Sequence, residues 1–194
     1  MSSKEPLNPD LVKEFVMASH GNFEKVEALL KEQPNLIRAS WDWGGGEWES
    51  GLEAAGHVGN REVAEYLLSN GATQTVFCAA MLGDVELVKS FIASDPAVIN
   101  IPGVHRISLM YHVALSGKVE LAEALEKAGS PADKNRALQA ATQLGHTSMV
   151  GWLVENGVTD INTLNFEEKT PLAIAVEKAY TEIADLLRSN GGRE

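Results

Sequence analysis

A chain of 194 residues with 44% hydrophobic content is long enough to build a continuous core and too apolar to be disordered throughout. Its 27 acidic residues against 16 basic ones leave a net charge of −11, which disfavours nucleic acid and anionic membrane surfaces as partners. The single cysteine, Cys78, excludes an internal disulfide and fits a reducing compartment. No apolar run approaches the ~20 residues of a membrane span, and none follows Met1 to mark a secretory signal, so a cytoplasmic protein is expected.

Residues 1–7 read as a flexible tail, and one continuous domain is expected over 8–192. Asn8 followed by Pro9 is a helix start, an N-cap with proline in the first turn. Phe15 to Ser19 predicts a short helix that ends at a glycine turn, Gly21. A second helix then carries Phe23, Val26, Leu29 and Leu30 at the spacing of a buried stripe. Pro34 stops it. The same unit recurs along the chain. Leu52, Ala55 and Gly56 lead to the turn at Gly59, followed by Val63, Leu67 and Leu68 and a C-cap at Gly71. Val76 to Gly83 leads into Val85, Val88, Phe91 and Ile92. Met110 to Gly117 leads into Leu121 and Leu125. Leu138 to Gly145 leads into Val150, Leu153 and Val154. Leu172 to Ala179, with alanine in the glycine position, leads into Ile183, Leu186 and Leu187. Ser130-Pro131 reads as the N-cap and first turn of the fifth unit.

One such helix pair cannot bury its apolar side alone and needs copies stacked against it. The turn glycines lie 38, 24, 34 and 28 residues apart, and a step of 34 reaches Ala179. This pattern resembles the ankyrin repeat, whose period is about 33 residues. The likeness spans residues 10 to 191. Thr170-Pro171-Leu172-Ala173 keeps most of the family's Thr-Pro-Leu-His signature, and Gly71-Ala72 keeps its Gly-Ala stop. The resemblance implies an all-α, ankyrin-repeat solenoid of about six helix-turn-helix repeats. Its β-hairpin fingers are irregular or missing: fingers are expected at 38–51, 101–108 and 160–169, while Gly71 to Thr75 has no room for one. The segment from Trp43 to Gly59, with Phe77 to Gly83 and Gly103 to His112, also resembles a group of small bacterial ankyrin proteins. That group usually has Asp at Glu47 and Pro-His-Gly at Val104-His105-Arg106, and the likeness bears on fold alone.

In ankyrin arrays the two residues before the turn glycine face the concave groove. Here they are Ser19-His20, His57-Val58, Met81-Leu82, Leu115-Ser116, Gln143-Leu144 and Glu177-Lys178. The middle four pairs hold five apolar side chains, which form either a binding patch or a core covered by fingers. The enlarged first finger holds Trp41, Trp43 and Trp48, three of the chain's four tryptophans, around Gly44 to Gly46. Tryptophan favours interfaces, but it can equally pack a loop onto its own domain. The expectation is that Trp48 packs against the second repeat while Trp41 or Trp43 faces the groove.

His57, His105, Glu47 and Glu49 are the candidates for acid–base chemistry, a histidine near a carboxylate beneath tryptophans. Ordinary loop-anchoring hydrogen bonds have the same composition. No zinc-protease, paired-cysteine, nucleophile-elbow or P-loop motif is present. Metal binding by His57, His105 and His112 would require ligands from different repeats to converge, so neither a metal nor a cofactor is expected. Cys78 is read as inert packing.

The leading functional expectation is a monomeric protein–protein interaction module that grips a partner, with a basic surface, in its concave groove. The residues expected there are Trp41, Trp43, Trp48, His20, His57, Val58, Met81, Leu82, His105, Leu115, Gln143 and Leu144. The alternatives are a small-molecule or enzymatic pocket under the Trp-rich finger with His57, Glu47 and Glu49, and a purely structural solenoid.

Overall fold

The structure is a computed structural model that describes residues 6–131 and 133–194. The expected tail therefore lies largely outside the described residues. Among these residues the chain forms twelve α-helices in consecutive pairs. They are α1 (Pro9–Ser19), α2 (Phe23–Glu32), α3 (Gly51–Val58), α4 (Arg61–Ser69), α5 (Val76–Leu82), α6 (Val85–Ser94), α7 (Leu109–Ser116), α8 (Val119–Lys127), α9 (Lys134–Gln143), α10 (Thr147–Glu155), α11 (Pro171–Glu177) and α12 (Thr181–Ser189). One two-stranded antiparallel hairpin, β1 (Ser40–Asp42) and β2 (Trp48–Ser50), precedes α3. The chain divides into two compact units, residues 1–78 and 79–194, with the boundary inside α5. Among the described residues, no helix is long and apolar enough to cross a membrane.

In the first unit α1 packs on α2 and α3, and α3 on α4, while the hairpin lies against α1 and α3. The core consists of Val12, Phe15 and Val16 from the first helix, Leu52, Ala54 and Ala55 from the third, and Val26, Leu29, Val63 and Leu67 from their partners. Gly51 opens α3 where a Cβ would stand 2.7 Å from Phe15 Cε1 and 2.8 Å from Ser19 Oγ, so no larger residue fits without shifting these buried side chains of α1. Ser50 caps the helix and forms a capping box with Glu53, and Gly59 ends it in the left-handed conformation that a side chain would strain.

In the second unit α7, α9 and α11 form one row, and α8, α10 and α12 pack behind them. Three local expectations are corrected here. The fifth pair starts at the N-cap Asp133, whose side chain accepts from Asn135 N–H, rather than at Ser130-Pro131. The segments 101–108 and 160–169 form no strands. Pro102 lacks an N–H, and His105 and Arg106 adopt positive φ, so the first of these closes through Gly103 N–H to Ile107 O instead of a ladder. The second turns over Asn165 to Lys169 and closes through Asn165 N–H to Lys169 O. Ala179 takes the left-handed conformation that glycine supplies at Gly59, Gly83, Gly117 and Gly145, with φ 57°.

Candidate functional site

The first unit brings three ionisable side chains together at the ends of two neighbouring helices. His20 is the C-cap of α1, and His57 lies in the last turn of α3. Glu49 comes from β2, where alternate side chains point to opposite faces: Trp48 is 60% exposed while Glu49 is fully buried. This overturns the expectation that Trp48 packs against the second repeat, because a period of two cannot turn both neighbours inward.

Glu49 Oε1 lies 2.9 Å from His57 Nε2 and 3.6 Å from His20 Nε2, and the two Nε2 atoms are 3.1 Å apart. The rings meet edge to face. Glu49 Oε2 accepts the indole N–H of Trp43 at 2.7 Å. His20 Nδ1 faces the carbonyls of Val16 at 3.0 Å and Met17 at 3.3 Å, both within its own helix. A carbonyl only accepts, so Nδ1 carries the proton, and in neutral His20 the Nε2 atom presents a lone pair. Burial by itself pushes the Glu49 carboxyl pKa up, but the hydrogen bonds from His57 and Trp43, aided by the charges of His57 and His20, outweigh it. They hold the group below the ordinary carboxylate value. Both imidazoles also stand at helix C-termini, where the backbone carbonyls concentrate partial negative charge and favour a cation. The cluster can therefore bind a proton between its members or a positive ion among them.

Trp41 lies opposite Glu49 in the hairpin register and is half-buried, with Lys13 Nζ 5.5 Å from its ring centre. Glu47 joins its backbone to Trp43 across the hairpin end. The carboxylate set against His57 is that of Glu49. Sequence reading had placed His20 in the groove without linking it to Glu49. Strand alternation puts Trp48 and Glu49 on opposite faces, and only the packed structure decides that Glu49 is the inward one.

Of the remaining expected groove residues, Met81 is 2% exposed and Leu115 5%, so both belong to the core. The reason for Leu115 is visible in α7, where Leu109, Met110, His112, Val113, Ala114 and Leu115 are all buried and even Tyr111 and Ser116 are only half-exposed. Val58, Gln143 and Leu144 are exposed and Leu82 is half-buried. His112 is buried with Nδ1 at 2.9 Å from Ser108 O, tied to its own helix. His105 lies half-buried in the 3-10 turn Val104–Arg106 of the second unit.

Sequence reasoning expected a finger at 160–169 but singled out neither Phe166 nor Leu164 within it. Phe166 is 94% exposed and Leu164 57%. The segment is held to α9 by Asn135, which bonds Thr159 and Asp160, and by Gln139, whose side chain donates to Thr163 O. A large aromatic residue at a turn flanked by Glu167 and Glu168 was the available clue.

A family model described as ankyrin repeats (3 copies) matches residues 76–193. The chain belongs to the ankyrin-repeat family. Ankyrin repeats are general protein–protein interaction modules. The ankyrin chain is also 36% identical, over 61 residues, to the I-Kappa-B like protein C2 of Microplitis demolitor bracovirus (isolate Webb). That alignment covers 31% of this chain and 34% of the viral protein, so the chain spans about a third of the relative it matches.

Proposed function

We propose that this ankyrin-repeat chain binds another protein, and that the second unit presents the contact face. The observation that carries this reading is Phe166, a fully accessible aromatic residue with Leu164 beside it on a turn anchored to α9. Exposed large apolar side chains held on a rigid support are what interface hot spots require, since little entropy is lost on docking. Gln143 and Leu144, at the C-terminal end of α9, are also exposed. The family's general role and the similarity to an I-Kappa-B like protein support the same class of function. The groove reading is narrowed accordingly, because Met81 and Leu115 are core residues and cannot contact a partner. With a net charge of −11, the chain favours a partner with a basic surface and binds it as a monomer.

The test is affinity purification with the wild-type chain and with a Leu164→Asp, Phe166→Asp double variant, followed by titration calorimetry against the purified partner. Both side chains are exposed, so the variant is expected to fold normally and to lose binding at least about 30-fold, or ~2 kcal/mol. Undiminished affinity would move the contact face elsewhere.

A further inference from the structure

We propose that His20, Glu49 and His57 form a binding site for a divalent transition-metal ion, with zinc as the best-fitting occupant. One ligand atom from each residue lies within 4.8 Å of the others, and the separations are 2.9, 3.1 and 3.6 Å. Zinc held at about 2.0–2.1 Å from nitrogen and oxygen in a tetrahedral site sets its ligand atoms about 3.3 Å apart. A triangle with the observed sides has a circumradius of about 1.9 Å, so a point at zinc-ligand distance from all three atoms lies just off their plane.

The surroundings are those that a metal centre requires. His20 Nδ1 donates to main-chain carbonyls, which fixes the tautomer with a lone pair on Nε2 and orients the ring. Trp43 holds Glu49 through Oε2 and leaves Oε1 toward the histidines. Metal entry requires His57 Nε2 to give up the proton that it shares with Glu49, either to solvent or to its own Nδ1. The donor set of two imidazoles and one carboxylate suits zinc and its first-row neighbours and does not suit magnesium or calcium, which demand oxygen. The negative ends of α1 and α3 add a favourable field. These three ligands leave at least one further coordination position on the ion.

The experiment titrates tag-free full-length chain with zinc chloride in a non-coordinating buffer by calorimetry, with magnesium as the comparison. Cobalt(II) absorption in the visible region then reports the coordination geometry. The expected result is one zinc per chain, no magnesium binding, and a tetrahedral cobalt spectrum. His20→Ala and Glu49→Gln should each weaken zinc binding by about 10-fold or more. Because the His20 ring is partly exposed at a helix end, His20→Ala is expected to keep its circular dichroism spectrum and carries the test alone if Glu49→Gln fails to fold. Absence of saturable zinc binding, or an affinity in folded His20→Ala within about 10-fold of wild type, would overturn the proposal and leave the cluster a hydrogen-bonded clamp.

Discussion

The Trp43 indole N–H lies 2.7 Å from Glu49 Oε2, and this bond joins the exposed rim of the first hairpin to a carboxylate with no solvent exposure. The ring spans the boundary: its outer part meets water while its N–H reaches inward. A buried carboxylate is tolerable only when charge and hydrogen bonds compensate its lost hydration.

Trp43→Phe keeps most of the ring and removes the donor. It should cost about 1–3 kcal/mol, as expected for a lost hydrogen bond to a charged group. Trp48→Ala, on the outward face of the same strand, should stay within about 0.5 kcal/mol of wild type. Urea denaturation of the two variants side by side checks this. Equal losses would mean that the hairpin faces are not distinguished energetically.

Leu67 and Leu153 are buried in the first and second units respectively. Replacing either with alanine should destabilise by roughly 2–5 kcal/mol. Since repeats interact chiefly with their neighbours, each loss is expected to be concentrated in the unit that carries it. Hydrogen exchange resolved by segment would detect this, and a uniform loss across both units would contradict it.

The pair Met81→Glu and Leu115→Glu should unfold the chain in whole or part, because each change places a carboxylate in a site that is all but closed to water. A folded double variant by circular dichroism would restore these side chains to an accessible surface.

Ala179→Gly should stabilise the chain by about 0.5–1 kcal/mol. The left-handed conformation costs alanine about 1–2 kcal/mol, and the extra freedom of glycine in the unfolded chain takes back part of that. Thermal denaturation measures the shift. A lower Tm in the glycine variant would show that the methyl group makes a packing contact worth more than the strain.

Cys78 is buried, and desolvation pushes its thiol from 9.0 up to about 12, only partly opposed by the Arg61 charge. A pKa raised in the folded state leaves stability intact below the unfolded value and removes it as pH rises. Stability should therefore decline between about pH 9 and 12, and Cys78→Ser should flatten that decline. At pH 8 the thiol should resist alkylation until denaturant is added. Rapid labelling of the native chain would refute the assignment.

The helix pairs were legible in the chain because they rest on local signals. Apolar spacing within ten residues, Asn8 as a cap, and glycines at Gly59 and Gly117 act over distances the sequence shows directly. The ankyrin pattern followed from their recurrence. The unusual hairpin with its three tryptophans was also visible, but not which of them points inward. That depends on strand register, which pairs Trp41 with Glu49 and leaves Trp48 outside. The core status of Met81 and Leu115 was likewise hidden, since a residue near a helix end is exposed or covered according to what packs over it. The His20–Glu49–His57 cluster belongs wholly to the tertiary structure. His20 and His57 are 37 positions apart, and their meeting requires α1 to lie against α3 at the close approach that Gly51 permits. Local propensity sets where helices start and stop, whereas convergence of side chains from distant segments is decided by how those helices pack.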